Sequence, residues 1–227
     1  MATLPLAQLT FEQLSSFARI EGRAITPDLW ISLEERPLDD DDRRQLAWIV
    51  RHLRGFHSAV VNESTLWARA VYPLLMLAER DDVRAWSQVP LRAQITLGGV
   101  ATELAGVVDG VLAREHAYGA EPAHPFLLVV EAKRGVDAND PRPQLLGAML
   151  ASLLARGAGP EAEQHGVYIV GDSWTFGGVT LRPIEEPPGK ALSIRGSREY
   201  TERTEAEAIL RVVRGIVDLA MARGAAA

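Results

Sequence analysis

Residues 126–135 read FLLVVEAKRG, five apolar residues followed by Glu131, Ala132, Lys133 and then Gly135. A short, continuous apolar run bounded by a turn signal predicts a buried strand, which needs a sheet around it and helices over it. Alternate residues of a strand share a face, so Glu131 and Lys133 project together while Ala132 points the other way. An acid and a base therefore converge where the most hydrophobic short run ends.

The preceding strand candidate, TELAGVVDGVLAR, carries a second anomaly. Asp109 interrupts an otherwise apolar run, and an ionised carboxylate without a partner costs several kcal/mol in a low-dielectric interior. A positive charge must lie near it. One economical answer is a divalent cation, because Asp109 and Glu131 stand 22 positions apart on what would be neighbouring strands. A hard cation such as Mg²⁺ takes one or two carboxylates, waters and a phosphate. The chain has no cysteine, so disulfides, thiol catalysis and thiolate metal sites are excluded, and any metal is held by oxygen or imidazole.

The elements around these strands follow from periodicity. Leu46, Trp48, Ile49, Leu53 and Phe56 recur at helical spacing after four aspartates at 39–42, which read as a helix start that complements the dipole. A second helix is expected over 62–79, capped by Asn62 or Ser64 and kinked by Pro73. Strands are expected at 92–100, 102–114 and 125–135, then a helix opening near Gln144 and stopped by Gly157. Two strands follow (HGVYIVGDS and WTFGGVTLRPI), then ALSI and a C-terminal helix with a capping box on Thr204 and Glu207, closed by Gly224. Gly98–Gly99 and Gly177–Gly178 read as hairpin or bulge positions. The expected fold is α/β, a central mixed sheet flanked by helices. Residues 1–60 form an N-terminal helical extension packed on the core, and 61–227 form the α/β domain with its C-terminal helix.

With these residues in hand, the chain resembles the PD-(D/E)xK nuclease superfamily, the restriction-endonuclease-like fold. Asp109, the EAK of Glu131 to Lys133, and a following helix with Gln144 match its pattern. The order helix, three strands, helix, strand matches its core over roughly residues 62–175. No proline precedes the acid, since Val108 and Gly110 flank Asp109. The resemblance implies that Asp109, Glu131 and the Ala132 carbonyl bind Mg²⁺ or Mn²⁺, with Glu63 completing the acidic shell. It implies that Lys133 assists the attacking water and that Gln144 steadies Lys133 or a phosphate. The implied activity is metal-dependent hydrolysis of phosphodiester bonds in nucleic acid, with DNA the expected partner and a homodimer compatible with cutting both strands. The alternative is a catalytically inactive nuclease fold that serves as a binding or assembly module.

Other classes find no support in the sequence. A net charge of −6 argues against nonspecific coating of nucleic acid, which relies on Lys and Arg neutralising phosphates, although it leaves room for a local basic cleft. The five histidines show no metal-ligand spacing, and there is no G-x-S-x-G elbow. No apolar run reaches the roughly 18 residues that span a bilayer. No secretory signal is read at the N-terminus, so a cytoplasmic, membrane-free protein is expected.

Overall fold

The computed structural model describes residues 2–22, 27–55, 57–58, 60–119, 121–135, 139–155, 157 and 162–225. Phe56, expected in the helical stripe after the four aspartates, lies outside them.

The chain is an α/β fold built on one mixed eight-stranded sheet with helices on both faces. Its strands are β1 (Ala2–Pro5), β2 (Arg19–Glu21), β3 (Val83–Leu97), β4 (Val100–Glu115), β5 (Pro122–Lys133), β6 (Glu163–Val170), β7 (Ser173–Pro183) and β8 (Lys190–Thr201). They run in the order β1-β4-β5-β6-β7-β8-β2, and β3 pairs along the other edge of β4. Pairs β1–β4, β5–β6 and β8–β2 are parallel, and the rest are antiparallel.

Two buried clusters cover the sheet. On one face lie α1 (Phe11–Phe17) and α6 (Arg142–Ala155), which pack Leu14, Leu145, Met149 and Leu153 against Val111, Val129 and Val179. On the other lie α2 (Pro27–Glu34), α3 (Asp40–Arg54), the segment from α4 (Glu63–Leu66) to α5 (Tyr72–Met76), and α7 (Glu202–Ala225). These bury Trp30, Leu53, Leu74, Ile209 and Val213 against Leu128, Val130, Ala132 and Trp174. Burial of whole aliphatic and aromatic side chains at about 1.5–3 kcal/mol each is what holds the layers together. Among the described residues, no helix is long and apolar enough to cross a membrane.

Several elements differ from expectation. Residues 1–60 do not form a purely helical extension, because β1 and β2 add two parallel strands to the sheet, with Ala2 opposite Thr102 and Arg19 opposite Ala191. Four- and three-residue strands are too short to show a period of two, so only their distant partners define them. The helix over 62–79 starts where Asn62 Oδ1 accepts the Thr65 N–H at 2.8 Å, then passes through a π-helical stretch, Trp67–Val71, before α5. Pro73 has no N–H and its ring would strike the carbonyl four residues back. Widening the preceding turn, with Tyr72 N–H bonding the Trp67 carbonyl, accommodates it. Strand β3 begins at Val83 rather than 92 and includes Pro90; β3 pairs only with β4, and an edge strand tolerates a proline.

The glycine pairs behave as read. Gly98 and Gly99, at φ 53° and 84°, make the two-residue β3–β4 hairpin, and Gly177 borders an irregularity in the β7–β8 register. Helix α7 starts before Thr204 and bends at Glu205 (φ −127°, ψ 23°). There Glu205 accepts the Thr201 N–H at 2.9 Å, in place of the expected Thr204–Glu207 box. Helix α7 also runs through Gly224 to Ala225.

Candidate functional site

Strand β5 is central, and its last residues decide the site. Val130 and Ala132 pack in the cluster with α7, whereas Val129 packs in the cluster with α6. Glu131 and Lys133, on the alternate positions, therefore face α6. Glu131 is 1% exposed, and its Oε1 lies 2.6 Å from Lys133 Nζ. Both carboxylate oxygens are buried, and among the described residues neither accepts a well-formed hydrogen bond, Oε1 having only that ion pair and Oε2 no partner.

Pairing between β4 and β5 ends at Gly110–Val130. Ala132, two residues further along the same edge, has no strand carbonyl to receive its N–H and gives it to Asp109 Oδ2 at 2.8 Å. Backbone N–H and C=O of one strand residue point to the same edge, so the Ala132 carbonyl also faces the gap where the strands part. Asp109 is thus tied to the main chain between Glu131 and Lys133.

The electrostatics follow from burial. Loss of solvent raises the Asp109 pKa, opposed by the Ala132 N–H and by Lys133. Burial, together with the nearby Asp109 charge, pushes Glu131 up to about 7 against the pull of Lys133. Burial alone would lower Lys133, but Glu131, Glu63 and Asp109 outweigh it and hold the ammonium above its ordinary value. Lys133 is the positive group expected near Asp109, which the structure leaves half-buried.

Glu63 is exposed in the first turn of α4, and its charge acts on Asp109, Glu131 and Lys133 together. Its helix is docked by Leu66, fully buried in the core, and by the adjoining Trp67, whose Nε1–H donates to Ser87 Oγ at 2.9 Å. The Trp67 ring lies over Gly110, where an added Cβ would come within 2.2 Å of it. Gly110, adjacent to Asp109, therefore makes room for the helix that carries Glu63. Gln144 is half-buried in the first turn of α6. Among the described residues no hydrogen bond joins it to Lys133.

One participant escapes the sequence reading. Gln88 sits in β3 across from Asp109, between the pairs Ser87–Gly110 and Val89–Val108, and extends Nε2 to 3.5 Å from Asp109 Oδ1. Its φ of 54° is the left-handed region that a glutamine seldom adopts. Unusual backbone of this kind clusters at functional sites, but no sequence pattern marks it in advance.

Among the described residues, no three Asp, Glu or His side chains converge tightly enough to enclose an ion unaided. The available donors nevertheless suit a hard cation. They are the buried Glu131 carboxylate with an orphaned oxygen, the half-buried Asp109 carboxylate, and a main-chain carbonyl at an open sheet edge, all of them oxygen.

No family model matches the chain, and no curated protein matches it. A solved chain described as "Crystal structure of SSO0001" is similar over 85% of this chain and 84% of that one, at 15% identity and a TM-score of 0.25. That likeness carries no argument about fold or activity.

Proposed function

We propose that this chain is a metal-dependent nuclease that hydrolyses phosphodiester bonds in DNA, with a restriction-endonuclease-like core and a site of the PD-(D/E)xK kind. The observation that carries the reading is the convergence of Asp109, Glu131 and Lys133 at one end of the sheet, linked through the Ala132 N–H, with a buried carboxylate oxygen left unpartnered. Burying Glu131 beside the half-buried Asp109 is costly for a sheet end, where well-packed apolar residues would cost less.

Mg²⁺ or Mn²⁺ would be held by Asp109, Glu131 and the Ala132 carbonyl, with Glu63 adding negative charge. When bound, the cation supplies Lewis-acid charge stabilisation and lowers the pKa of a coordinated water. Lys133 offers a cation and up to three N–H donors beside Glu131, suited to orienting a water and to stabilising charge that develops on the scissile phosphate. The Ala132 N–H fixes the Asp109 carboxylate so that little reorganisation is needed when a ligand arrives.

A second reading is favoured by one observation. Lys133 already pairs with one oxygen of Glu131, and the Ala132 N–H bonds one oxygen of Asp109, which suits a noncatalytic binding module as well. Cleavage of supercoiled plasmid, linear duplex and single-stranded DNA with Mg²⁺ or Mn²⁺, beside Lys133→Ala, separates the two. Cutting by the wild type alone supports the nuclease. No cutting, with no Mn²⁺ heat by calorimetry that Asp109→Asn removes, would sink it.

A further inference from the structure

One strand along from Glu131, on the same face of the sheet, a cavity of about 330 Å³ opens beneath α6. Its walls include Phe11, Met149, Tyr168, Thr175 and Ile194. Its floor is a cross-strand glycine pair, Gly177 opposite Gly196. A Cβ added at Gly196 would meet nothing within 4 Å, and one at Gly177 would come no closer than 3.5 Å to the Arg195 carbonyl. No close contact requires glycine at either position, so what the pair creates is the open volume itself.

Location and charge point to an occupant. Tyr168 is the register partner of Glu131 across the parallel β5–β6 pair, so a group seated in the cavity lies beside the candidate metal site. Arg142 also lines the cavity. Its guanidinium stands 5.6 Å above the Phe11 ring and pairs with Asp140 at 2.7 Å, with side-chain exposures of 58% and 41%. Asp140 holds Nε and Nη2 in a bidentate pair, and among the described residues the Nη1 end forms no hydrogen bond, which leaves that end for a phosphate. Arg195 and Arg198 line it too but are paired with Glu163 and Glu205; the aromatic walls, the Tyr168 and Thr175 hydroxyls and Arg142, in a pocket at the small end of the ligand-binding range, match a nucleobase with its adjoining phosphate.

We propose that this cavity receives an unpaired nucleobase of the DNA strand, so that single-stranded or locally unpaired DNA is the substrate presented to Asp109, Glu131 and Lys133. The inference rests on the nuclease reading for its substrate role. A base stacked within duplex cannot enter such a cavity without leaving the helix, whereas an unpaired base enters without that cost. Tyr168 and Phe11 offer stacking surfaces, Tyr168 and Thr175 offer hydroxyls to the base edge, and Arg142 takes the neighbouring phosphate.

The test is fluorescence anisotropy on the full chain in EDTA, with fluorescein-labelled oligothymidylate, an abasic strand of equal length, and a blunt hairpin duplex. The wild type is expected to bind oligothymidylate at least about tenfold more tightly than the other two. Gly196→Leu, which fills the cavity, and Tyr168→Leu, which removes the ring and hydroxyl, should each lose about tenfold on oligothymidylate and nothing on the abasic strand. Thermal melts identify folded variants, and either one suffices. Equal wild-type affinity for the base-bearing and abasic strands, or folded variants that bind like wild type, would overturn the proposal. Base-dependent binding without Mg²⁺-dependent cleavage would remove the nuclease and keep the base-binding cavity; cleavage with base-independent binding would do the reverse.

Discussion

Asp109 Oδ2 accepts a hydrogen bond from the Ala132 N–H at 2.8 Å, so the acid of one strand is clamped to the residue that separates Glu131 from Lys133 on the next. The bond exists because β4 and β5 stop pairing at Gly110–Val130. A carboxylate then substitutes for a strand carbonyl, which keeps the sheet end closed while it holds two acids together.

Replacing Asp109 is expected to affect chemistry and stability in opposite proportions. Asp109→Asn keeps an acceptor for the Ala132 N–H, so the melting temperature should stay within a few degrees of wild type. The cleavage rate should fall by at least about 10²–10³-fold, the loss typical of a removed charge-stabilising group. A plasmid assay with a parallel thermal melt checks both. Full-rate cleavage by Asp109→Asn would show that the metal is held elsewhere.

Glu131 carries the cost of burial most directly. Its pKa is pushed up to about 7 from an ordinary 4.5, by burial first and then by Asp109, so its ionised form destabilises the metal-free fold at alkaline pH. Glu131→Gln removes that charge and the repulsion from Asp109 but leaves Lys133 without its partner. The net expectation at pH 8 in EDTA is a gain of about 1–2 kcal/mol in unfolding free energy, and in a separate assay with Mg²⁺ cleavage should be abolished. A loss of stability in urea melts would mean that the Lys133 pair outweighs the desolvation of Glu131.

Gly110→Ala tests how the helix carrying Glu63 is positioned. The new methyl would come within 2.2 Å of the Trp67 ring and 2.8 Å of the Trp86 carbonyl, and a backbone carbonyl cannot yield as a flexible side chain can. Overpacking of this kind costs about 1–3 kcal/mol. The Trp67–Ser87 hydrogen bond should break as well. Denaturant melts read the stability loss, and quenching of tryptophan fluorescence reads the displaced indole. An unchanged melt would show that α4 docks without Trp67.

The strongly patterned parts of this fold were legible because their signals are local. The run ending in EAK gives β5, the Gly98–Gly99 pair gives the hairpin, and the apolar residues from Leu145 onward give α6. Asp109, Glu131 and Lys133 meet because an acid set in an apolar run, half-buried in the fold, favours a positive neighbour. What escaped the reading depends on distant partners. Strand β1 is four residues long and is defined by Thr102 onward. Gln88 reaches Asp109 only because its own backbone turns left-handed, and Gly110 matters only because Trp67 folds over it.

The aspartate run at 39–42 does more than start a helix. Asp39 and Asp42 form a reciprocal capping box, and Asp42 also binds Arg214 of α7 through two hydrogen bonds of 2.5 and 2.6 Å. Arg214 spans further, to the Leu77 carbonyl, and so joins three helical segments. Asp42→Ala leaves a guanidinium that is only 27% exposed without its carboxylate and removes a cap, for an expected cost of about 2–4 kcal/mol. Asp42→Asn should recover part of it, because an amide oxygen still caps and still accepts. Equal losses in the two variants would mean that charge, not hydrogen bonding, carries the contact.

Glu202 gives the clearest pH signature. It is fully buried at the start of α7, where Oε2 accepts the Trp174 Nε1–H at 2.9 Å and Oε1 has no partner among the described residues. Burial pushes its pKa from an ordinary 4.5 up to about 7. Between those values the folded chain keeps a proton that the unfolded chain has lost, so unfolding free energy falls as pH rises, by about 1.4 kcal/mol per unit for one such group. Glu131 contributes over the same window, whereas Asp42, whose pKa is lowered chiefly by Arg214, loses its stabilisation only at acid pH, below its ordinary 3.8. Urea melts of the metal-free protein from pH 5 to 8 should therefore slope downward. Glu202→Gln keeps an acceptor for Trp174 and should remove about half of that slope, with most of the gain in stability appearing at pH 8. If Glu202→Gln left the slope intact, water or structural relaxation would already be solvating the carboxylate, and its burial would not be the source of the pH dependence.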